Sequence, residues 1–77
     1  MDNNDSKNDL IVEIGKRIQK YRTEKNLTQE QVAEIVGISQ KHLSRIEKGY
    51  HNPRFDMIIN IAKALDIPTD ALAKDLS

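Results

Sequence analysis

The stretch Thr28 to Gly49, TQEQVAEIVGISQKHLSRIEKG, constrains the fold more than any other part of the chain. Thr28 is a good N-cap, and Gln31 stands three residues on, so side chain and backbone can satisfy each other's exposed amides at the start of a helix. Val32, Ile35 and Val36 follow at helical spacing until Gly37, the residue type that most easily takes the left-handed backbone of a sharp stop. Ser39 can then cap a second helix, in which Leu43 and Ile46 point one way while Gln40, Lys41, Ser44 and Arg45 point elsewhere. Two short helices joined by a tight turn, with a polar face left free on the second, make up the helix-turn-helix pattern.

The pattern asks for a small residue at Ala33, a glycine at Gly37 and apolar residues at Val32, Val36, Ile38, Leu43 and Ile46, and all are present. Composition alone would match one register with a probability of about 4 × 10⁻⁵. With its surroundings, from Ile14 to Leu72, the segment resembles the lambdoid phage repressor and Cro type of domain, the Xre family of small regulators. The resemblance implies a compact, all-α, five-helix, lambda-repressor-like domain.

The rest of the chain reads consistently with five helices, at about residues 9–25, 29–36, 40–48, 55–65 and 69–75. Residues 1–8, MDNNDSKN, are polar and without periodicity, which predicts a disordered tail before a single domain over 9–77. Asp9 can cap a helix in which Ile14, Ile18 and Tyr21 form a stripe, extended by Leu10 or Ile11 and stopped by a left-handed Asn26. Its other face carries Lys16, Arg17, Lys20 and Lys25, read one by one as solubilising charge. After Gly49, YHNPRF is a loop, because Pro53 holds Asn52 extended. Phe55, Ile58, Ile61, Ala62 and Leu65 then mark one face of a fourth helix, flanked by Met57 and Ile59. Asp66 tolerates the left-handed region, Pro68 bars continuation, and Thr69 is expected to cap a last helix whose Leu72 faces inward.

A chain of 77 residues is one domain with one modest core. Cysteine is absent, so no disulfide framework or thiolate metal site can be built, and a reducing compartment is expected. No run approaches the ~18 apolar residues of a membrane span, and the amino end is polar and acidic where a signal peptide would be basic and then apolar. A soluble cytoplasmic protein without membrane partners is the expectation. His42 and His51 lack any metal-binding companion, and Gly15, Gly37 and Gly49 are too far apart for a nucleotide loop. No nucleophile and base, carboxylate pair or phosphate-cradling loop is visible, so neither catalysis nor a cofactor is expected.

A formal net charge of zero argues at first against a polyanionic partner. The distribution argues for one. Residues 1–13 hold four acids and one base (−3), residues 14–54 nine bases and four acids (+5), and residues 55–77 two bases and four acids (−2). The positive excess coincides with the helix-turn-helix.

Double-stranded DNA is therefore the expected partner. A major groove about 12 Å wide admits one helix, and its exposed first turns reach the base edges. That assigns Gln40, Lys41, Ser44 and Arg45 as base-reading residues, and the resemblance places Gln40, Lys41 and Arg45 on the family's base-reading positions and Ser44 on a base-proximal or phosphate-facing one. Glutamine can pair bidentately with adenine, while lysine and arginine suit guanine. Phosphate contacts are expected from Thr28 and Gln29, at the positive end of the scaffold helix, and from Lys48, Tyr50, His51, Asn52 and Arg54 along the following loop. Gln29 matches the family's backbone-clamping glutamine. The resemblance also implies a structural ion pair between Arg22 and Glu47. One recognition helix reads few base pairs, so a homodimer on a two-fold operator is expected, with Met57, Ile59 and Leu76 as its interface. The alternative is an antitoxin or protein-interaction module of the same fold, for which a toxin or other protein is the main partner.

Overall fold

The computed structural model describes residues 9–75, so the tail expected over residues 1–8 and the interface residue Leu76 lie outside the described residues. Five helices follow one another: α1 (Asp9–Glu24), α2 (Gln29–Val36), α3 (Gln40–Glu47), α4 (Phe55–Ala64) and α5 (Thr69–Ala73). No strand occurs among the described residues, and none of their helices is long and apolar enough to cross a membrane. The fold is the all-α, five-helix arrangement expected.

The stops are local. Asn26, with φ 60°, and Asp66, with φ 56°, take the left-handed backbone after α1 and α4, while Gly37 (φ 90°) and Gly49 (φ 79°) do so after α2 and α3. Each helix ends a residue or two from its expected limit, except α2, because the last turn tightens before the reversal. Thr69 does not cap α5. It is the first residue inside that helix, and the cap position belongs to Pro68, whose carbonyl accepts from the Ala71 amide at 2.9 Å without a side-chain bond.

Ile18, Val32, Leu43, Ile46, Ile61, Leu65 and Leu72 are fully buried and bring every helix into one core. Helix α1 packs on α3 and α5, α2 on α3 and α4, and α4 on α5. Two apolar expectations are corrected here. Phe55 is 65% exposed and Ile35 is 62% exposed, while Ile58, Ile61, Ala62 and Leu65 do form the buried face of α4. Phe55 occupies the first position of α4. Ile35 lies on the outer side of α2, lining a shallow dip with Asn60 and Lys63. Helical spacing defines a face, but how far a face is covered depends on what packs across it. Of the pair offered to extend the α1 stripe, Ile11 is half-buried and Leu10 is exposed.

Two features fix where α1 sits, the bonds of Arg17 and the close approach at Gly15. Arg17 is more than a solubilising charge: its Nε donates to Glu13 at 3.1 Å, and its Nη1 donates to the carbonyls of Leu72 (3.3 Å) and Lys74 (2.8 Å), tying the end of α5 to α1. These are the carbonyls a helix leaves unpaired at its C-terminus, where a cation is favourable. Gly15 is buried where α1 meets α3. A Cβ there would come within 2.7 Å of the Glu47 carbonyl oxygen and closer still to that of Ile46, so α1 lies directly on the last carbonyls of α3.

Candidate nucleic-acid interface

The start of α2 is held by a reciprocal pair of bonds: the Gln31 amide donates to Thr28 Oγ1 at 3.0 Å, and the Thr28 amide donates to Gln31 Oε1 at 2.9 Å. At its end the amides of Gly37 and Ile38 both donate to the Ala33 carbonyl, at 2.8 and 3.0 Å, which only a left-handed Gly37 allows. Ser39 then caps α3, its Oγ accepting from the His42 amide at 3.0 Å. All these bonds are local, so the angle between α2 and α3 is set by a few consecutive residues.

Helix α3 buries Leu43, Ile46 and Glu47. Gln40, Lys41 and Arg45 are exposed and Ser44 is half-buried. Together with Gln29, Lys48 and Tyr50 these four residues line one open depression of about 460 Å³. Seven of the residues expected to touch DNA thus share one surface. Its lining includes Lys41, Arg45 and Lys48 and no carboxylate.

The carboxylate that α3 does carry is turned inward. Glu47 Oε2 accepts from Arg22 Nε at 2.7 Å and its Oε1 from Arg22 Nη2 at 3.1 Å, with the side chains only 3% and 11% exposed. Arg22 Nη1 also donates to the Leu27 carbonyl at 2.8 Å. The geometry is a two-pronged ion pair with the third donor group also in use, the arrangement that makes a buried pair tolerable. The negative charge of α3 is thereby answered from within the fold. A second partner of Glu47 is not announced by the residues: Gln29 Nε2 donates to Oε1 at 2.9 Å.

Other expected phosphate contacts lie elsewhere. Thr28 does not line the depression. Asn52 is an exposed residue of the loop between α3 and α4. Arg54 lines a separate, smaller depression with His42, His51, Pro53, Asp56 and Met57, and its Nε lies 3.6 Å from Asp56 Oδ1. Both members of that pair are largely exposed, so the contact contributes little and leaves Arg54 available. His42 is half-buried, its ring edge-on to that of His51 with centroids 4.6 Å apart. Among the described residues no group of three or more His, Cys, Asp or Glu could hold a metal ion. Met57 and Ile59 are half-buried flanks of α4.

Comparison with known proteins agrees with this geometry. A helix-turn-helix family model matches residues 18–72. An uncharacterized HTH-type transcriptional regulator, y4dJ of Sinorhizobium fredii, is 39% identical over 54 residues, covering 70% of each chain. The chain spans a smaller share, 30% to 58%, of three longer curated regulators. Among solved structures, the restriction-modification controller protein C.AhdI from Aeromonas hydrophila superposes with a TM-score of 0.78 at 34% identity, covering 80% of this chain and 90% of that one. The master regulator for biofilm formation SinR, solved in complex with DNA, superposes with a TM-score of 0.71 at 33% identity, covering 77% and 95%. With the model match over most of its length and the paired helices built as described, the chain belongs to the helix-turn-helix family, HTH_3, of transcriptional regulators.

Proposed function

We propose that this protein is a sequence-specific, cytoplasmic DNA-binding regulator that acts as a homodimer on a two-fold operator, with α3 in the major groove. The observation that carries the reading is the carboxylate-free depression in which Gln40, Lys41, Ser44 and Arg45 stand beside Gln29, Lys48 and Tyr50. Side chains on α3 can reach base edges while Gln29 and Lys48 reach the flanking phosphates, which separates reading from holding. Thr28, Asn52 and Arg54 add backbone contacts at the margins. The DNA-bound structure of the similar protein SinR supports the class of partner.

Two-fold repetition follows from size, since α3 has eight residues and spans about 12 Å, enough for a few base pairs only. Ile59 and Phe55, one helical turn apart on α4, together with Met57, offer apolar surface for the second copy. The test is selection of bound duplexes from a random library, followed by titration of the winner. A recovered site with two related halves centred ~10 base pairs apart is the expected result. Recovery of no shared sequence, together with copurification of a neighbouring-gene protein, would move the assignment to the antitoxin or protein-interaction class.

A further inference from the structure

Glu47 is fully engaged yet one of its bonds does nothing for the ion pair. The carboxylate already receives two donors from Arg22, and Gln29 Nε2 adds a third at 2.9 Å from a residue that lines the α3 depression. Glu47 ends α3, Gln29 begins α2, and Arg22, through Nη1, holds the Leu27 carbonyl just ahead of α2. One buried carboxylate therefore touches both helices of the motif.

The chemistry of that bond is directional. A carboxylate accepts hydrogen bonds and donates none, so the Gln29 amide must turn its nitrogen, not its oxygen, toward Glu47. An amide nitrogen carries two hydrogens in a fixed plane. With one given to Glu47, the other is held at a set angle instead of sweeping with the side chain. A free glutamine could equally present its carbonyl oxygen, which repels a phosphate.

We infer that Glu47 is a positioning residue for the nucleic-acid interface: it locks the Gln29 amide so that the second N–H is presented to a phosphate oxygen of the DNA backbone. The inference rests on the DNA reading above. Glu47 never touches DNA and acts through Gln29, so its effect on binding must vanish when Gln29 is removed.

Two measurements test this. In the first, the side-chain amide protons of Gln29 are followed by NMR in the native protein, free and with its selected duplex. One proton should be protected from solvent exchange in the free protein, and both should be protected in the complex. The second measurement is a binding cycle of Glu47→Asp and Gln29→Ala, alone and together, on the same duplex. Glu47→Asp keeps a carboxylate opposite Arg22 but shortens its reach by one methylene, which loosens the bond to Gln29, and the thermal midpoint of the variant shows how much of the Arg22 pair is kept. Each single change should weaken binding by roughly 2- to 10-fold, the range of one hydrogen bond. The double variant should bind no worse than Gln29→Ala. Equal losses from Glu47→Asp in both backgrounds, or a free protein in which both Gln29 protons exchange alike, would overturn the positioning role while leaving DNA binding intact. A duplex that shifts no α3 resonance would instead overturn the DNA reading, and this proposal with it. Should Glu47→Asp fail to fold, the NMR measurement decides alone.

Discussion

Truncating either member of the Arg22–Glu47 pair strands the other charge in a nearly dry site, because the side chains are only 11% and 3% exposed. Arg22→Ala or Glu47→Ala is expected to cost about 3 to 5 kcal/mol of stability. Changing both should cost less than the sum, and a urea-denaturation double-mutant cycle reads the difference. Strict additivity would mean that the two do not interact in solution. Arg45 and Arg54 test a different division. Arg45 stands on α3 in the depression, whereas Arg54 lies apart from it beside Asp56. Arg45→Ala is expected to cost about 1 to 3 kcal/mol on the selected operator and much less on scrambled DNA, since it removes contacts to one base. Arg54→Ala should weaken both duplexes alike and lower the salt slope by about one. Titrations of each variant on both duplexes at several salt concentrations check the two outcomes together.

The helices show which parts of such a chain can be read in advance. Everything that shapes the turn between α2 and α3 is written within a few residues: the Thr28 and Gln31 box, the Gly37 reversal and the Ser39 cap. These bonds form wherever the local sequence goes, so they were legible. The Gln29–Glu47 bond spans 18 residues and the Arg17 bonds to α5 span 55 and 57, and no local pattern announces them. The Arg22–Glu47 pairing was suggested by family resemblance, not by spacing. Phe55 and Ile35 went astray for a related reason, since their faces were right but the cover was missing. Element ends respond accordingly to local changes. Ser39→Ala removes the bond to the His42 amide and should cost about 1 kcal/mol. Gly37→Ala meets no atom within 4 Å, so its cost, roughly 1 to 2 kcal/mol, is that of a side chain at φ 90° alone. Thermal unfolding of both variants measures these losses, and a stabilised Gly37→Ala would mean that the turn relaxes out of the left-handed region.

Across the whole molecule, zero net charge conceals a positive middle between two acidic ends. The open depression on α3 collects Lys41, Arg45 and Lys48, while the acid of the same helix is spent on Arg22. Attraction to DNA is expected from that side of the protein and should fall steeply as salt screens it. Sedimentation at tens of micromolar, with and without the selected duplex, is expected to show a dimer in at least the bound state. Monomers under both conditions would remove the two-fold arrangement. The close contact at Gly15 has a mechanical side as well. With α1 pressed against its last carbonyls, α3 is fixed at its Glu47 end by the Gly15 contact, as its Ser39 end is fixed by the turn from α2. Gly15→Ala would gain up to about 1 kcal/mol of helix propensity, but the backbone must move apart to admit the methyl, at roughly 1 to 3 kcal/mol. A shift of about 1 Å at the Glu47 end carries α3 beyond the ~0.5 Å within which a base-reading geometry must be held, while a flexible phosphate contact follows it. Folded Gly15→Ala protein should therefore lose discrimination between operator and scrambled DNA while keeping most of its affinity for the latter. Anisotropy titrations in which that ratio stays unchanged would show that α3 keeps its place without the close contact at Gly15.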